Sequence, residues 1–272
     1  MSFPSSGGST SPTYDTDAQA YFTKYAAVMG SELDTPHKTD INTLFTDIKA
    51  LGSGACYAAL EGGTAAVNAD SAAALINLFK PSAALLTPIN APSFAADRGY
   101  QCNGSNGLDT NFVPNTGAKF LQNSAHIMCW NLANTGAGNG VLVGANDTAV
   151  AGGSEAAIYP NFAGSTYGRL NEAGTGAYGS IADTSGCWLL DRSASNVEQL
   201  FHDGTQFGAT QTGASVTRGA ISLALGARNS SSGISLGNSY RIGAASWGGS
   251  VATYQAGYYT AWQKYLHARG AI

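Results

Sequence analysis

Aromatic rings that can stack on sugars, and polar side chains that can satisfy hydroxyls, are the main chemical resource of this 272-residue chain. Tyr159, Asn161, Tyr167, Arg169 and Trp247 are the candidate ligand-binding residues, with Asn171 and Tyr178 as further members of the set. Tyr and Trp present flat apolar faces, whereas Asn and Arg present directed donors and acceptors. A saccharide needs both.

Catalysis finds less support. Glycoside hydrolysis ordinarily requires two carboxylates flanking the scissile bond. No strand of this sequence carries acids at alternate positions: Glu155, Glu172 and Glu198 stand alone, and Asp191 alternates with Leu189 and Cys187. The four histidines, His37, His126, His202 and His267, lack a Gly-x-Ser-x-Gly elbow beside them. His126 reads as a hydrogen-bonded strand residue and His202 as a solvated one. Thr135–Gly140 is glycine-rich but precedes a strand, so it reads as a hairpin loop rather than a phosphate cradle. The expectation is therefore a protein that is not an enzyme.

Cofactors are expected to be none, and metal ligands none. Cys56, Cys102, Cys129 and Cys187 are too widely spaced for a zinc or redox motif and read as buried free thiols. Asp97, Asn103, Asn106 and Asp109 cluster enough oxygen atoms for calcium to be the alternative.

Composition narrows the partners. Charged residues are 11% of the chain and the net charge is −4, with no Lys/Arg run. Nucleic acid is set aside, because duplex binding needs clustered cations. No stretch of about 20 apolar residues is present to span a bilayer. The first residues lack a basic and apolar leader, so synthesis in a cytoplasm without a signal peptide is expected. The 35 glycines point to many tight turns.

These side chains must be positioned by short strands. Residues 1–14 read as a flexible N-terminal arm and 15–83 as a helical attachment region. There, Asp15 caps one helix, Thr35-Pro36 opens a second, and a third runs from Asp70 to Phe79. From residue 84, strands are expected at 125–131, 140–144, 156–159, 166–171, 187–192, 197–202, 205–207, 221–227 and 240–246. Asp203-Gly204 signals a two-residue hairpin turn, and Ser193–Asn196 a second hairpin loop. A Tyr-rich helix capped by Ser250 closes the chain. The fold class is mainly β: an antiparallel sandwich over 84–272 with helices at both ends.

Several motifs resemble a known family in their order. They are Ala91–Tyr100, Asn103-Gly-Ser, Leu108–Pro114, Leu200-Phe-His-Asp-Gly204, Leu223–Asn229, and the Tyr-rich helix after Ser246-Trp-Gly-Gly-Ser250. The Thr-Pro-x-Lys start of the second helix is similar too. Together they cover about residues 15–270 and resemble the concanavalin A-like (laminin G-like) domains of bacteriophage and prophage structural proteins. The resemblance implies a jelly-roll sandwich and a non-enzymatic virion surface protein, a head decoration, spike or tail-fibre component that binds host surface glycan. It implies as partners other virion proteins through the N-terminal region, host surface polysaccharide and further copies of the chain. The alternatives are a purely structural decoration and a glycan-degrading hydrolase.

Overall fold

The computed structural model describes residues 12–136, 138–150, 153–172, 174 and 176–272. Most of the expected N-terminal arm, residues 1–11, lies outside the described residues, as does Ala137 of the glycine-rich loop.

Two sheets of eight strands face each other. The first runs in the order Thr205–Gln206, Val197–His202, Gly186–Ala194, Ala125–Asn131, Arg241–Gly248, Gly99–Gln101, Ser93–Ala95, and Leu60–Thr64 also pairs with Arg241–Gly248. The second runs Gly176–Gly179, Ser165–Glu172, Ser154–Phe162, Val143–Asp147, Ala224–Leu225, Gly107–Asp109, Thr87–Ile89. Arg228–Ser230 adds to it in parallel, against Val143–Asp147. The architecture is thus the mainly β sandwich that the strand pattern predicts.

Alternation along the strands explains the layering. In Ala125–Asn131, Ile127 and Cys129 face the space between the sheets, while Met128 and Trp130 face the other way. Both sets are buried, so this strand is apolar throughout. The outward set of the first sheet is covered by helices α1 (Thr16–Met29), α2 (Thr35–Ala50) and α4 (Gln255–Ala268), with a short α3 (Ala55–Ala59) beside them. Ile41, Leu44, Phe45 and Ile48 of α2 and Tyr258, Trp262 and Leu266 of α4 fill this layer. Each such buried side chain contributes roughly 1.5–3 kcal/mol.

The ends of these helices show how local chemistry sets boundaries. The Asp15 carboxylate accepts the Asp17 N–H and caps α1, and Gly30 stops it in the left-handed region at φ 69°. In α2 the cap is Asp34 rather than Thr35: its carboxylate accepts the His37 N–H at 2.9 Å. Before α4, the buried Asp191 carboxylate accepts from Ser250 Oγ at 2.7 Å and Val251 N–H at 2.6 Å, tying the helix entry to the sheet.

Two expectations about the N-terminal region need revision. Asp70–Phe79 is not a helix beyond one 3-10 turn at Ala73–Leu75. Asn77 Oδ1 accepts the Gly63 and Lys80 N–H groups, and Leu78 N–H bonds to Gly63 O, which draws the segment out along a strand. The boundary at residue 84 is also crossed. Leu60–Thr64 is a strand of the first sheet, and the helices share one core with Met128, Trp130, Leu189 and Phe201.

Candidate functional site

The outer face of the second sheet carries a small apolar cluster of its own, built on Val141, Ala157 and Tyr159. Strand Ser154–Phe162 turns through Ala163-Gly164, both at positive φ (52° and 85°), into Ser165–Glu172. In this hairpin Tyr159 lies opposite Tyr167 and Ala157 opposite Arg169. Ala156, Ile158 and Leu170 point into the sandwich core, so Glu155, Ala157, Tyr159, Tyr167 and Arg169 project outward.

Tyr159, Phe162, Ala163, Tyr167, Arg169, Arg228 and Leu236 enclose a cavity of about 240 Å3 there. Phe162 meets Tyr159 edge-on at 5.4 Å and Tyr167 at 6.2 Å between ring centroids. The Arg169 guanidinium lies 5.9 Å from the Tyr159 ring centroid. Arg228 enters from the far side of the hairpin, on the short strand beside Val143–Asp147.

One buried carboxylate organises the polar side. Glu155 accepts from the Tyr159 hydroxyl, pairs with Arg169, and pairs with Arg228 at 3.2 Å. Burial and the adjacent Glu155 carboxylate push the Tyr159 hydroxyl well above its usual range, so it stays protonated. The Nε groups of Arg169 and Arg228 are buried and have no partner among the described residues.

The structure therefore brings three of the five candidate residues, Tyr159, Tyr167 and Arg169, into one cavity. Asn161 is turned away. Its Oδ1 accepts the Gly164 N–H at 3.1 Å and its Nδ2 donates to Ile181 O at 3.4 Å, so it braces the hairpin turn. Trp247 needs a correction. It is 1% exposed, packs between the sheets against Phe112 at 5.8 Å, and faces no solvent that a ligand could enter from. Its strand is buried on both faces, so a large ring there belongs to the core. Tyr178 is interior too, donating to Glu198 at 2.9 Å, and Asn171 donates to Leu121 O and Gln122 O.

Sequence reasoning missed Glu155, Phe162, Arg228 and Leu236 as members of this group. A usable signal was scarcity: with 13 Lys and Arg in the whole chain, an arginine in a short strand such as Arg228 is worth tracing to its partner.

The acids expected to stand alone do not. Glu172 and Glu198 share the Arg192 guanidinium, at 2.8 and 2.9 Å. Burial pushes the Glu198 carboxyl up to about 7 against the pull of Arg192, and burial alone pushes Asp191 up to about 7 against its three hydrogen bonds. Both are buried away from the cavity, and a catalytic acid must first reach its substrate. His126 is a buried strand residue as expected, with Nδ1 at 2.6 Å from Gly249 O and Nε2 at 3.1 Å from Ser246 Oγ. The calcium alternative finds its oxygens spent elsewhere. Asp97 pairs with His37, Asn103 and Asn106 close their own turn, and Asp109 accepts from Asn111 and Ser222.

No protein-family profile matches this sequence, and no curated protein matches it. Solved structures do share its shape. A mutant of Trypanosoma rangeli sialidase that displays trans-sialidase activity superposes with a TM-score of 0.55 at 14% identity, over 84% of this chain and 39% of that one. Domain 4 of an extracellular GH43 arabinanase from Geobacillus stearothermophilus, in complex with arabinotriose, gives 0.50 at 13% identity, over 73% of this chain and 97% of that one. The binding domain of Botulinum neurotoxin serotype D gives 0.51 at 8% identity, over 79% and 52%. At such identities the likeness establishes the β-sandwich fold. This chain spans little more than a third of the sialidase polypeptide.

The comparison corrects one expectation. The absence of a local catalytic motif points to a protein that is not an enzyme. Polypeptides named as a sialidase and an arabinanase contain this same sandwich, so that motif-based exclusion does not stand.

Proposed function

We propose that this chain is a glycan-recognising β-sandwich, and that it takes a sugar ring in the cavity between Tyr159, Phe162, Tyr167, Arg169 and Arg228. The observation that carries the reading is the cavity itself: three aromatic rings beside two arginines that share one carboxylate, on a sheet face that no helix covers among the described residues. Small-ligand sites combine apolar walls with a few convergent polar groups in this way. The arabinotriose complex of the arabinanase domain supports the reading from the side of the fold. The family resemblance of the sequence supports a virion surface as the setting, with host surface polysaccharide as the source of the sugar and the N-terminal region as the attachment. Saturation-transfer NMR with a panel of methyl glycosides tests it. The ring protons should be saturated by the native chain and lose that signal in Tyr167→Ala. A folded native chain that saturates no sugar in the panel would end the proposal.

A second reading is hydrolysis in the same cavity, favoured by the contact between the Tyr159 hydroxyl and Glu155. A carboxylate in that place can accept the phenol proton as the tyrosine oxygen bonds to an anomeric carbon and the glycosidic C–O bond breaks, the departing sugar oxygen taking a proton from solvent. Water then cleaves the tyrosyl glycoside to free the reducing end and return the proton to the phenol. This reading predicts release of reducing ends from polysaccharide by the native chain and none by Tyr159→Phe. Release that persists in Tyr159→Phe, or none from the native chain, would remove it.

A further inference from the structure

Charge in the Tyr159 cavity is out of balance, and the imbalance names a ligand class. Arg169 and Arg228 reach it from opposite sides of strand Ser154–Phe162, and both spend their Nη1 atoms on the single carboxylate of Glu155. Two cations thus stand against one anion, and among the described residues neither arginine has another acidic partner. The site is sheltered: the side chains of Arg169, Arg228 and Glu155 are 24%, 21% and 4% exposed. Both Nε–H groups are buried with no acceptor among the described residues. A sheltered positive charge and unspent donors are costly unless an anion arrives to meet them.

We infer that the sugar bound between Tyr167 and the two arginines carries a carboxylate, as a uronic acid does. This rests on the reading of the cavity as a sugar site and deepens it. A planar carboxylate matches the fork of a guanidinium, and two forks held by Glu155 would grip it from both sides. The apolar face of the ring would lie against Phe162 and Tyr167. Glu155 has a positioning role here, since it holds both arginines in place before any ligand enters. A neutral hexose would leave the extra positive charge unmet.

The test compares methyl glucuronoside and methyl galacturonoside with methyl glucoside and methyl galactoside, using the full chain in NMR and calorimetric titrations at low and high ionic strength. The uronosides should bind at least about tenfold more tightly than their neutral counterparts, the scale of a charge-assisted contact. Added salt should narrow that gap. Arg228→Gln should bring the uronosides down to the neutral sugars, and Arg169→Gln, which leaves the other pair intact, serves as a second variant if the first does not fold. Equal binding of charged and neutral sugars would overturn the inference and leave the sugar site standing. Binding of neither by a chain with native thermal unfolding would overturn both. Competition by acetate as strong as by a uronoside would reduce the cavity to a simple anion site and overturn the inference as well.

Discussion

Arg192 and Glu198 are cross-strand partners inside the sandwich, with Nη2 and Oε2 2.9 Å apart and both side chains at 0% exposure. Arg192 also donates to the Leu170, Ser195 and Gly213 carbonyls and to Glu172, while Glu198 accepts from Leu170 N–H and from Tyr178. Every polar arm thus has a partner, and this is what lets a charge sit between two apolar layers. Glu198→Ala removes the central acceptor and leaves the guanidinium under-compensated. The expected loss is about 3–5 kcal/mol, read from urea unfolding. A loss below about 1 kcal/mol would mean that the pair is effectively solvated.

Asp191 makes stability depend on pH in a definite direction. Burial holds its carboxyl up at about 7, above the ordinary value of about 3.9 for an unfolded chain. Between those values the folded protein binds more protons than the unfolded one. Stability from this group is therefore present below about pH 4 and lost as pH rises through about 7. Glu198 acts with the same sign. Asp191→Asn should flatten this fall when urea midpoints are followed from pH 4 to 8. An unchanged slope would show that the Asp191 carboxyl titrates alike in both states.

His126 works the other way. Burial lowers its imidazole to about 4, so the folded protein keeps it neutral while the unfolded chain takes up a proton near 6.5. Its contribution is complete above about pH 6.5 and is lost as pH falls toward 4. An imidazole resonance that titrates near 4, and a shallower acid limb in His126→Gln, are the expected results. Titration near 6.5 in the folded protein would contradict the burial argument.

Trp247 and Tyr167 should separate stability from binding. Trp247 fills the space between the sheets, so Trp247→Phe should lower stability by on the order of 1–3 kcal/mol and leave sugar affinity unchanged. Tyr167 is only half-buried at the rim of the cavity, so Tyr167→Ala should weaken sugar binding about tenfold with little effect on the melting temperature. Thermal unfolding and calorimetric titration of the two variants check this. The reverse pattern would place the sugar elsewhere.

Much of the fold was legible locally. Strand Val197–His202 appears where the pattern puts it, and Asp203-Gly204 closes its hairpin with positive φ at both residues, 47° and 72°. Ala125–Asn131 is likewise in register with the expectation. Strands of three residues, such as Ser93–Ala95 and Gly107–Asp109, hold too few alternations for a period to show. Leu60–Thr64, with glycines at 62 and 63, was hidden for another reason. Those glycines are where the Trp247 ring and the Ala245 carbonyl come too close for a Cβ, a fact of packing rather than propensity.

The mainly β class, the helices at both ends, and the strands at 156–159 and 166–171 that carry Tyr159, Tyr167 and Arg169 could be read locally, because alternation, capping and turn chemistry act between near neighbours. Which of those side chains share a site is set by long-range packing. Arg228 meets Glu155 from 73 positions away, and Trp247 is taken into the core by a sheet whose second face is covered by helices. Such meetings are set by strand order and by which face each layer covers, and strand order depends on burial summed over the whole chain.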